Sequence, residues 1–97
     1  LMEGDPYLRL AAHANAMAQK IAKVLKECEI PFLIESKTNQ IFPILPDVLL
    51  ARLRERFVIA DWERVDATHT AVRIVTSWDT QEAAAEELCR ALRAFTQ

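Results

Sequence analysis

A single glycine, Gly4, occurs in the 97 residues, so no glycine-rich loop is present to cradle a phosphate and the later turns must be made by other residue types. An excess of one charge is missing too. Twelve basic against 14 acidic residues give a net charge of −2 and a pI near 5.7, which excludes the basic surface that draws a protein to nucleic acid. No apolar run approaches the roughly 20 residues that span a bilayer, and no charged-then-apolar leader opens the chain. Membrane is therefore excluded as a partner, and a cytoplasmic location is expected. Cysteine is limited to Cys28 and Cys89 and histidine to His13 and His69, four residues too far apart for a metal-ligand spacing. Neither a disulfide nor a metal site is expected.

What the chain does have is a hydrophobic content of 52%, ample for one compact core and too little chain for two. From Pro6 to Cys28 the residues Leu10, Ala14, Met17, Ile21, Val24 and Cys28 recur every three or four positions, the spacing of a long amphipathic helix. Asp5 and Pro6 suit its start. At its end a glycine is expected to take the left-handed conformation, yet Glu29 stands there. The runs 30–36 and 40–46 read as hairpin strands around Asn39, with Pro43 placing the second at a sheet edge or a bulge. A short helix follows over 47–56 with Leu49, Leu50 and Leu53 on one side, then strands over 57–62 and 70–77. The stretch Asp79-Thr80-Gln81-Glu82 reads as a capping box that opens a last helix. That helix stacks Ala85, Leu88, Cys89, Leu92 and Phe95 on one stripe and pairs Glu86 with Arg90 on its other face.

Helix, two strands, helix, two strands, helix is the order of an α+β domain: a small antiparallel or mixed sheet of three to four strands with its helices on one face. Alternation then sorts the strand at 71–77. Val72, Ile74 and Thr76 point one way and Ala71, Arg73, Val75 and Ser77 the other. With Val72 and Ile74 against the helices, Arg73 faces outward, either solvated or engaged with something beyond this domain. His13 reads as a surface or interface residue, Asn39 as a turn former, Trp62 and Trp78 as core or interdomain packing, and Phe32, Phe42 and Phe57 as core.

The stretches DPYLRLAAHANAMAQKIAKVL, TNQIFPILP and VRIVTSWDTQE, in that order, resemble the C-terminal portion of the low-specificity threonine aldolases, in the β-eliminating lyase family of pyridoxal-phosphate enzymes. The resemblance spans nearly all of the chain. It implies a small C-terminal domain of antiparallel strands covered by helices, with residues 1–28 as an interdomain helix and 29–97 as the small domain proper. It further implies that Arg73 binds the α-carboxylate of an amino-acid substrate whose retro-aldol cleavage, such as threonine to glycine and an aldehyde, the whole enzyme performs. A guanidinium is suited to that task, because its rigid fork of donors matches a carboxylate.

The family's Schiff-base lysine, aromatic stacking residue and phosphate cup have no counterpart here. Lys20, Lys23 and Lys26 lie on a helical polar face and Lys37 in a turn. The chain is accordingly expected to be a fragment of a longer enzyme, inactive alone and binding no pyridoxal phosphate. Its expected partners are the missing large domain, the amino-acid substrate and further copies in a homo-oligomer. The alternative is a free-standing α+β binding or oligomerisation module without catalysis, since fold alone does not assign function.

Overall fold

The computed structural model describes residues 6–34, 36, 38–77 and 80–96, so Gly4, Asp5, Lys37, Trp78 and Asp79 lie outside the described residues. The chain runs α1 (Pro6–Glu27), β1 (Phe32–Ile34), β2 (Gln40–Pro46), α2 (Asp47–Leu53), β3 (Ala60–Arg64), β4 (His69–Val75) and α3 (Glu82–Thr96).

Helix α1 buries Ala14, Met17, Ile21 and Val24 as its periodicity requires, together with Ala18, Ala22 and Leu25. Leu10 stays 42% exposed. At the other end Glu29 does take the left-handed conformation, at φ 61°. Ile30 N–H donates to the Leu25 carbonyl and Glu29 N–H to the Lys26 carbonyl, each at 3.0 Å, which is the paired bonding of a Schellman cap.

The four strands form one antiparallel sheet in the order β1-β2-β4-β3. Pro43 therefore sits in an interior strand, not at an edge. The structure accommodates it by irregularity: the β1–β2 register slips between Phe32↔Pro43 and Ile34↔Phe42. The β2–β4 ladder, by contrast, keeps one register from Ile41↔Ile74 to Ile44↔Ala71 across the residue with no N–H to give. The bulge half of the expectation stands and the edge half falls.

Strand β2 alternates, with Ile41, Pro43 and Leu45 buried inward. Together with Val72 they meet Leu25 of α1, Leu49, Leu50 and Leu53 of α2, and Leu88 and Leu92 of α3 in one continuous core. Helix α2 is shorter than its pattern, closing at Leu53 and unwinding through turns at Arg54 to Arg56. Helix α3 starts at Glu82, its first N–H bonds running from Ala84 and Ala85 to the Gln81 carbonyl; the expected cap, Asp79, lies outside the described residues. Glu86 does not pair with Arg90. Its carboxylate goes to Lys20 of α1 at 2.9 Å, and Lys20 also reaches Glu82 at 3.1 Å, so the acidic start of α3 is tied across to α1.

Candidate functional site

Strand β4 carries its side chains as the alternation requires. Val72 and Thr76 are buried toward the helices and Ile74 packs against the core, while Arg73 and Val75 are exposed on the opposite face. Ala71, the small residue of that face, is buried between its neighbours. The register Ile41↔Ile74 and Ile44↔Ala71 brings Phe42 of β2 beside Arg73, and the pair Ala60↔Arg73 brings up β3 on the other side. Strand β3 then slips: Asp61 pairs with Val72 and Glu63 with Ala71, leaving Trp62 as the extra residue of a bulge. The displaced indole lies under the arginine, with the guanidinium carbon 5.6 Å from the ring centroid. Phe42 braces the indole from β2, at 5.2 Å between centroids and an interplanar angle of 57°.

Phe42 is thus a half-buried member of this outer cluster and not of the core, and Trp62 is 49% exposed. Phe42 departs from the core reading because the alternation of β2 that buries Ile41 and Pro43 turns it to the other face, and of the core-or-interdomain reading of Trp62 the core half falls. Phe32 and Phe57 do pack against the core.

Among the described residues no carboxylate lies within ion-pair distance of Arg73 and no acceptor takes a hydrogen bond from it. The nearby acid Asp61 is engaged by Arg54, which also donates through Nε and a terminal nitrogen to the Ile59 carbonyl at 3.3 and 3.0 Å. Among the described residues the arginine therefore presents its fork of N–H donors beside Phe42 and Trp62, on a face that Gln40 and Glu63 share. Such a group can take a carboxylate in bidentate fashion.

The other polar residues named from sequence hold the fold. His13 donates through Nε2 to the Thr80 carbonyl at 2.6 Å, pinning α1 to the turn before α3. Asn39 Nδ2 donates to the Thr76 carbonyl at 2.8 Å and its own carbonyl accepts from Thr76 N–H at 3.0 Å, closing the end of the β2–β4 ladder. Asp47 accepts from the Thr70 hydroxyl at 2.8 Å and from Arg64 at 3.1 Å, the first of these contributing most to holding its carboxyl below the usual value. Asp66 is held low in the same way, chiefly by the Thr68 backbone N–H in the β3–β4 turn. Cys28 and Cys89 are both free thiols, and burial pushes the Cys89 thiol up. Among the described residues no cluster of three His, Cys, Asp or Glu side chains is placed to hold a metal.

Lys20 and Lys23 of α1 line a polar groove with Glu86, Arg90 and Arg93 of α3. Lys20 is committed to Glu86 and Glu82, which raise its pKa, Lys26 lies over the Phe32 ring at 5.9 Å, and Lys37 is outside the described residues. No helix among the described residues is long and apolar enough to cross a membrane.

A solved structure of Leishmania major threonine aldolase matches the chain over 100% of its length with a TM-score of 0.94 and 30% sequence identity. This is the fold of a threonine aldolase domain. The chain spans 28% of the length of that aldolase. No family model matches the sequence, and no curated protein does. Arg73 lies in the interior strand β4, on the sheet face opposite the buried Val72 and Thr76.

Proposed function

We propose that the chain is the C-terminal small domain of a pyridoxal-phosphate-dependent, threonine aldolase-like lyase, and that Arg73 binds the α-carboxylate of its β-hydroxy-α-amino acid substrate. One observation carries the assignment of Arg73: an arginine with no carboxylate partner among the described residues stands exposed on a sheet face, in a chain whose fold matches part of a threonine aldolase from end to end. The cofactor and its chemistry belong, in this reading, to the larger part of the enzyme outside this chain. The role left to this domain is to orient. A bidentate carboxylate contact fixes one end of the substrate and so restricts which bond at Cα is presented for cleavage. The outer face, with Ile34 at 50% and Val75 at 49% exposure around Arg73, would meet the large domain, and homo-oligomer formation belongs to the same reading. A free-standing module is disfavoured by the end-to-end match to a fraction of a longer enzyme.

The test is substitution of Arg73 in the complete enzyme. Arg73→Ala should lower kcat/KM by about 2 to 4 kcal/mol, the scale of losing a charge-assisted contact in a partly desolvated site. Arg73→Lys should restore only part, since a point charge does not reproduce the fork. The melting temperature should stay close to wild type, because among the described residues the exposed side chain makes no ion pair or hydrogen bond. A lowered melting temperature with an unchanged kcat/KM would identify a structural residue instead.

A further inference from the structure

An arginine inside a sheet is ordinarily held by an acid, and at Arg73 the acid is replaced by a ring. We propose that Trp62 is the positioning residue for Arg73: its indole face fixes the guanidinium by a cation–π contact and so leaves every N–H donor free for the substrate carboxylate. The inference rests on the carboxylate-binding role proposed above and adds to it the residue that makes the fork available.

Three observations converge. The guanidinium lies 5.6 Å from the centroid of the Trp62 ring, within the range where the quadrupole of an indole attracts a cation. Trp62 is brought there by the β3 bulge between Asp61↔Val72 and Glu63↔Ala71, a device that re-aims one side chain next to a site. It is then braced by Phe42 at 5.2 Å from the neighbouring side of the face. Asp61, one residue before Trp62, stands opposite Val72 on the other face of the sheet and is tied to Arg54.

The chemistry favours this arrangement over an ion pair. A carboxylate neighbour would occupy two of the arginine's donors and cancel its charge, and a substrate carboxylate would have to displace it. An aromatic face binds the cation through its π surface and uses no N–H in the plane of the fork. It also keeps the long side chain from sampling many rotamers before the substrate arrives, which is the cost that preorganisation removes.

The experiment is a double-substitution cycle in the complete enzyme. Trp62→Leu should lower kcat/KM by about 3- to 30-fold, the range expected for losing a partly desolvated cation–π contact, and the loss should appear mainly in KM. Trp62→Phe retains a ring face and should recover most of it. In the Arg73→Ala background, Trp62→Leu should have almost no further effect, because Trp62 acts through the arginine. If Trp62→Leu costs as much without Arg73 as with it, or if Trp62→Phe is no better than Trp62→Leu, Trp62 serves packing and the inference is overturned. If Arg73→Ala lowers kcat/KM while Trp62→Leu leaves it unchanged, the carboxylate reading stands and this inference alone falls. An unchanged kcat/KM in Arg73→Ala removes both.

Discussion

Replacing Glu29 with glycine should stabilise this domain, although the substitution removes a charged side chain and adds no contact. Glu29 closes α1 at φ 61°, a conformation that costs a residue with a Cβ about 1 to 2 kcal/mol. Its N–H is used by the Lys26 carbonyl and the following N–H by the Leu25 carbonyl, so the chain cannot relax out of this conformation without losing two hydrogen bonds. The side chain is exposed and makes no ion pair or hydrogen bond among the described residues, so little is lost by removing it. Against the relief stands the greater freedom of glycine in the unfolded chain, worth about 0.5 to 1 kcal/mol. The difference leaves a net gain of about 0.5 to 1 kcal/mol, or about 2 to 8 °C in melting temperature for a domain of this size. Chemical denaturation of wild type, Glu29→Gly and Glu29→Ala measures it. Alanine keeps the Cβ and should be close to neutral. A Glu29→Gly variant no more stable than wild type, or Glu29→Ala as stable as Glu29→Gly, would refute the reasoning that strain at the cap is what the glutamate carries.

Other perturbations test the core and the charges. Leu53→Ala and Leu92→Ala each open a cavity at a fully buried site and should cost about 2 to 5 kcal/mol by denaturation, whereas Val48→Ala, at 77% exposure, should change stability by less than about 0.5 kcal/mol. Acid should destabilise the fold through Asp47, Asp66 and Glu86, whose carboxyls are all held below their ordinary values. The unfolded chain takes up those protons first as pH falls, so the stabilisation present above the ordinary carboxylate range is lost as pH drops through the folded values. Asp47→Asn should flatten the acid limb of a stability-versus-pH curve. An acid limb with the wild-type slope would show that the Thr70 and Arg64 contacts do not couple to folding.

Much of this architecture is written locally, where side-chain period and strand alternation act. The 3.6-residue stripe of α1, the triplet Leu49, Leu50 and Leu53, and the stripe from Ala85 to Phe95 are each the faces that meet the core. The two-residue period of β4 by itself turned Arg73 away from the helices, and the missing glycine at position 29 located a left-handed helix end that Glu29 does adopt. Position along a face is a property of neighbours in sequence, so these could be read without coordinates.

What required the tertiary structure is every choice among distant partners. The order β1-β2-β4-β3 put Pro43 in the interior, because the sheet gains more from burying Ile41, Pro43 and Leu45 together than it loses at one ladder position. Glu86 had Arg90 within reach along its own helix and is bonded to Lys20 across the α1–α3 contact, a choice set by how the helices pack. The surroundings of Arg73 belong to the same class. That Phe42 and Trp62 flank it, and that Asp61 is turned to Arg54, follow from strand register and from a one-residue bulge. The sequence determined which way the arginine points; only the pairing of three strands decided that it stands beside Trp62 and Phe42 with no ion pair or hydrogen bond among the described residues, because register is fixed by the whole sheet and core and not by any stretch of chain within it.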